Sequence, residues 1–161
     1  MHKLLFGVLM VVVWWMLHAL QWEEERAMGL LYEMKRAVNR SAHAAAQQAD
    51  RDRLELGIPS IDPGLARAAA DLYLQANLRL DRDFRPLPGS PLRHPPAVLV
   101  FEVINGEHEF PYTYYNPEYN FRVTLRRPGV VMVVRAEYPR LFSVMGPVVW
   151  QIKGAAELVH V

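Results

Sequence analysis

The sequence predicts an α+β protein built on an N-terminal membrane-spanning helix. Three observations lead there. Residues 4–17 carry no polar side chain, residues 23–78 are rich in helix formers with apolar positions three and four apart, and from residue 97 the apolar spacing falls to two. The chain has 161 residues with 18 Lys+Arg and 17 Asp+Glu, which fits one small domain plus an appended element. A charge this close to zero argues against nucleic acid as a partner, because that polymer requires a surplus of basic residues on one face. With no cysteine, disulfides, thiolate metal sites and cysteine nucleophiles are excluded.

The apolar run extends through Ala19 and Leu20 to Trp22 before Glu23, Glu24, Glu25 and Arg26 force the chain into water. Taken from 4 to 22, a helix is about 28 Å long, close to the hydrocarbon thickness of a bilayer. Leu4, Val8 and Val11 would meet lipid, while Trp14, Trp15 and Trp22 suit the headgroup boundary. Three readings fit such a segment: a retained signal anchor, a cleaved signal peptide, or the core helix of a soluble protein. The anchor is preferred, because Leu17-His18-Ala19 is a poor cleavage site and span length and boundary chemistry agree. Basic residues flank both ends, so charge alone does not orient it. The very short N-terminal flank before an export-type domain places the N-terminus inside and the C-terminal head outside the cytoplasmic membrane.

Residues 23–80 form a helical spine and a second helix. Between 23 and 53 there is no proline, and Ala27, Leu31, Met34, Val38, Ala42 and Ala45 make an apolar or small stripe along one face. That stripe is either the surface on which the chain's own head packs or a seam between neighbouring copies. Gly57, Pro59 and Ser60 end the helix, and Asp62-Pro63 supplies an N-cap acceptor before a proline preset for the first helical turn. Leu65, Ala68, Ala69, Leu72 and Ala76 continue at helical spacing. Residues 81–96 contain five prolines and read as a linker between the halves.

Residues 97–161 read as a small antiparallel sheet of four or five strands packed on the helices. AVLVFEVI leads into Asn105-Gly106, a hairpin signal, and further strands are expected over 119–125, 130–138 and 148–159, the last two separated by 139–147. Val130, Met132, Val134, Ala136 and Tyr138 are all apolar while the alternate set turns polar at Arg135 and Glu137, the pattern of a sheet with one buried face.

Little of the chain suggests catalysis. The six histidines, at 2, 18, 43, 94, 108 and 160, include no pair four apart on a helix, and the glycines are scattered singly. Ser41, Ser60, Ser90 and Ser143 have no adjacent base. No catalytic residue, metal ligand or small-molecule cofactor is expected. Glu23, Glu24 and Glu25 either solvate the helix exit or accept a neighbour's amine. Tyr112, Tyr114, Tyr115 and Tyr119 either form an exposed stacking surface, suited to a cell-wall polysaccharide or another subunit, or line a strand edge and its core.

The order of an N-terminal span, the alanine-rich helix KRAVNRSAHAAAQQAD (35–50), a helix opened by Ile61-Asp62-Pro63 and a sheet containing Val134-Arg135-Ala136-Glu137-Tyr138-Pro139 resembles the TadE-like group of pilus-associated, pseudopilin-type membrane proteins, in particular its Gram-positive members. The resemblance implies a pilin-like layout and a non-enzymatic, extracytoplasmic protein. It also implies protein partners, either copies of itself or components of a pilus or Tad-type secretion assembly. One departure stands out. Such proteins are similar in having a glycine before the processing point and a glutamate five residues after it, whereas here Gly7 is followed by Val8 and position 12 is Val12.

Overall fold

The computed structural model describes residues 2–138, 140 and 146–159; Pro139, Ser143 and His160, named above, lie outside the described residues. Helix α1 runs His2–Ala46, α2 is Arg51–Glu55 and α3 is Pro63–Leu78. The strands are β1 (Ala97–Ile104), β2 (Tyr112–Asn116), β3 (Phe121–Leu125), β4 (Gly129–Tyr138) and β5 (Val148–Glu157). The α+β class and the apolar N-terminal helix are as the sequence predicts.

Span and spine are one uninterrupted helix, about 67 Å long at 1.5 Å per residue. It ends at Ala46, short of the Arg53 that composition suggests. Three bonds take the chain out of the helix: the Asp50 amide donates to Ser60 O at 2.9 Å, and the Asp50 carboxylate accepts from the amides of Asp52 and Arg53, capping α2. Helix α3 begins as expected, with Asp62 Oδ1 accepting from Leu65 N at 2.8 Å and Pro63 in its first turn. Asp62→Ala is expected to lower the stability of the head by about 1 kcal/mol, seen as a lower thermal midpoint; an unchanged midpoint would show that the cap does not hold this helix start.

A three-stranded antiparallel sheet in the order β1-β4-β5 forms the centre of the head, and β2-β3 is a separate two-stranded sheet. The hairpin expected at Asn105-Gly106 does not form. Strand β1 pairs with β4, and neither Asn105 nor Gly106 has the positive φ of a type I′ turn. Asn105 is instead buried and clamps a distant loop, with Oδ1 accepting from Ile61 N and Nδ2 donating to Ile61 O, both at 2.9 Å. Asn105→Ala would leave both backbone groups of Ile61 without these partners, so we expect a loss of about 2 kcal/mol in denaturant unfolding, well above that of an exposed Asn→Ala change. A short hairpin joins β2 to β3 through residues 117–120, with Asn120 at φ 44°.

Val130, Met132, Val134, Ala136 and Tyr138 of β4 face the helices, in one core with Met34, Val38, Ala42, Ala45, Ala66, Ala70, Leu74 and Leu78. The opposite face is also covered where β2-β3 lies across it: Val131 packs with Ile104, Tyr114 and Leu125, and Val133 is fully buried. The helix-facing side is therefore buried along β4 and only partly covered on β1 and β5, and the opposite side is also covered in part. Helix α1 sits close on β5 at Gly154, where a Cβ would come within 2.8 Å of Val38 Cγ1. Residues 81–96 do not form a free linker. Ser90 Oγ donates to Leu78 O, Leu80 bridges to Pro86, and Leu92 is buried in the helix-sheet core.

Candidate functional site

The two halves of α1 meet different surroundings. Leu4, Val8, Val11, Trp14, Trp15 and Trp22 are all exposed, at 54–75% of their surface, and none of this segment's most apolar window is buried. From Leu30 onward the same helix contributes the core of the head. Trp14 stacks at a tilt on His18, one turn on, with centroids 4.1 Å apart, so the ring lies along the helix. The junction is tighter than the acidic run implies. Glu24 and Glu25 are exposed, but Glu23 is buried beside Tyr138, whose hydroxyl donates to Glu23 O at 3.3 Å. A solvated exit therefore describes only two of the three glutamates.

The stripe is occupied by the chain itself. Met34, Val38, Ala42 and Ala45 have no exposed surface, and Ala27 and Leu31 pack partly against the same core. Of the two roles open to that stripe, the packing one is what these contacts describe. An apolar surface is exposed on α3 instead. That helix buries Ala66, Ala70, Leu74 and Leu78, leaving Leu65 55%, Leu72 62% and Tyr73 47% exposed, with Ala68 and Ala76 between and beyond them. The spacing that reads as α3's apolar stripe in the sequence thus points largely outward.

The four tyrosines do not share a face. Tyr114 is buried under the hairpin, its hydroxyl donating to Glu102 Oε1 at 2.7 Å, so it is not a surface residue. Burial pushes its pKa above the ordinary tyrosine value; the Asn116 amide donating to it pulls the other way, and the Glu102 carboxylate adds to the rise. Tyr112 is partly buried and stacks on His108 at 4.1 Å. Tyr115 is exposed on the opposite side of β2, with the Arg122 guanidinium 4.8 Å above its ring. Tyr119 sits in the turn and donates to Glu118 Oε1 at 2.7 Å, a bond that raises its pKa. A stacking platform needs coplanar exposed rings, whereas alternation puts Tyr115 on the face opposite Tyr112 and Tyr114, and Tyr119 lies in the turn beyond β2.

Two further features escaped the sequence reading because each is assembled from distant segments. One is a groove between Leu31 and Lys35 of α1 and the edge strand β5 at Val149–Lys153. The other is a cleft at the end of the head farthest from the apolar half of α1, between residues 58–59, 106–110 and 126–128. Among the described residues, no three His, Cys, Asp or Glu side chains come together as metal ligands would.

Fold and surfaces define an α+β head carried on a helix whose first half is long and apolar enough to cross a membrane. Comparison with known proteins finds no matching family model, no matching curated protein and no matching solved structure.

Proposed function

We propose that this chain is a single-pass membrane-anchored protein that works by interaction rather than catalysis, with its head outside the cytoplasmic membrane. In this reading it is a subunit or accessory component of a pilus, filament or Tad-type secretion assembly, and its partners are proteins, copies of itself included. One observation carries the reading: a single helix is long and apolar enough to cross a membrane in its first half and contributes to the core of an α+β head in its second. Water would meet an apolar cylinder over residues 4–17, and a bilayer removes that cost. The exposed Leu65, Leu72 and Tyr73 of α3 add a second surface that gains by meeting another protein. The TadE-like resemblance in layout supports the assembly context.

The test is fractionation of the native protein from its own membrane, followed by intact-mass analysis and sizing in detergent. We expect the chain to resist alkaline washing and to retain residues 2–22. It should leave the membrane in particles larger than a monomer, and protease added outside the cell should cut the head. Release by alkaline washing would overturn the anchor; a protected head would reverse the orientation, and a detergent monomer without partners would remove the assembly role.

A further inference from the structure

The membrane-distal cleft has a volume of about 570 Å³ and is assembled from three separate loops. Its far position follows from the chain path. β4 runs from Gly129 at this end back to Tyr138 beside Glu23, and Gln47, just past the end of α1, donates to Glu157 O near the cleft. The rims are fixed by hydrogen bonds. Asn105 clamps the 58–61 loop through Ile61, Glu157 Oε1 accepts from Arg126 N at 2.7 Å, and Leu158 N donates to Pro128 O at 2.7 Å. Such a cleft exists before any ligand arrives, which lowers the ordering cost of binding.

Its chemistry is two-sided. Ile58, Pro59, Phe110 and Pro128 form apolar walls, and Arg126 and Arg127 with His108 supply the polar part. Neither guanidinium makes an ion pair or side-chain hydrogen bond among the described residues, and no carboxylate lines the cleft. Of the acids beside the lining in sequence or bonded to it, Glu157 accepts from Arg126 N and Glu107 from Asn105 N at 3.2 Å, while Glu109 is exposed between His108 and Phe110. Two free guanidinium groups suit anions with paired oxygens, carboxylates among them. The lining holds no amide or carboxylate side chain to bind sugar hydroxyls, whereas its apolar walls suit an aliphatic or aromatic side chain.

We propose that this cleft docks an acidic peptide segment of a protein partner, with glutamate or aspartate on Arg126 and Arg127 and an adjacent apolar side chain against Ile58 and Phe110. The proposal deepens the interaction reading above and rests on it for where the partner is met. The test uses the full chain in phosphatidylcholine nanodiscs and a fluorescein-labelled peptide that repeats two glutamates and a leucine, followed by anisotropy. We expect saturable binding, weakened about tenfold or more by Arg126→Ala with Arg127→Ala, by Arg127→Glu alone, and by replacing the peptide's glutamates with glutamine. Ile58→Ala should weaken it several-fold with little change in salt dependence. Absence of binding, binding that ignores the arginine substitutions, or equal competition by polygalacturonate at matched carboxylate concentration would overturn the proposal. Both arginines are surface residues, so near-ultraviolet circular dichroism should be unchanged in the variants. Flotation of the nanodiscs reports separately on the anchor: a chain that floats and ignores the peptide loses the cleft alone, and one that binds peptide without floating loses the anchor alone.

Discussion

Val11→Arg together with Val12→Arg is expected to release the chain from the membrane while leaving the head folded. Both residues lie near the middle of the apolar half of α1, and each is 56% exposed. An arginine at the centre of a spanning helix costs about 2.5–3.5 kcal/mol on insertion scales. Two therefore cost about 5–7 kcal/mol, some four to five powers of ten in partition. The direct measurement is the split between membrane pellet and alkaline supernatant. No part of the most apolar 18-residue window is buried against the head, so the thermal midpoint of the head should not move. Retention in the pellet would refute the spanning role, and unfolding of the head would show that the segment packs on protein.

Ala45→Glu is expected to prevent the head from folding. Ala45 has no exposed surface and belongs to the core formed by α1, α3 and the sheet. A carboxylate there must either remain charged without solvation or take up a proton, and its added volume finds no room in a close-packed interior. A cost of more than about 4 kcal/mol is in the range of such changes and comparable with the whole stability of a small domain. The same carboxylate at Arg36, on the exposed face of α1, should change stability by no more than about 0.5 kcal/mol. Loss of near-ultraviolet circular dichroism and of protease resistance in Ala45→Glu, but not in Arg36→Glu, is the expected pair of results. A folded Ala45→Glu head that had lost only its larger particles would mean that this stripe joins copies after all.

Local chemistry explains which elements could be read directly. Asp62-Pro63 opens α3 because the carboxylate reaches Leu65 N within one turn and proline needs no partner there. The alternation along β4 identifies its helix-facing side, since a strand turns every second residue the same way. The candidate sites were legible to a lesser degree. The apolar half of α1 is recognised from length and composition, whereas the tyrosines of β2 look equivalent in sequence until the hairpin folds over the sheet and buries Tyr114. Asn105-Gly106 carries the composition of a hairpin, but its turn is overridden by two bonds to Ile61, forty-four residues away. Arg126 and Arg127 give no signal in the sequence, because what distinguishes them is the apolar wall brought alongside by two other loops.

By itself, the sequence determined the α+β class, the membrane-length apolar segment, the start of α3 and the inward face of β4. Each depends on neighbours within about one or two turns of chain, where spacing and capping act directly. Only the tertiary structure decided that β1 pairs with β4, that the α1 stripe is consumed by its own core, that Leu65 and Leu72 of α3 face outward and that a basic cleft opens at the far end. These outcomes depend on competition between distant segments for the same surface. An apolar stripe states that a face gains by being covered, and the three-dimensional arrangement of the whole chain determines what covers it.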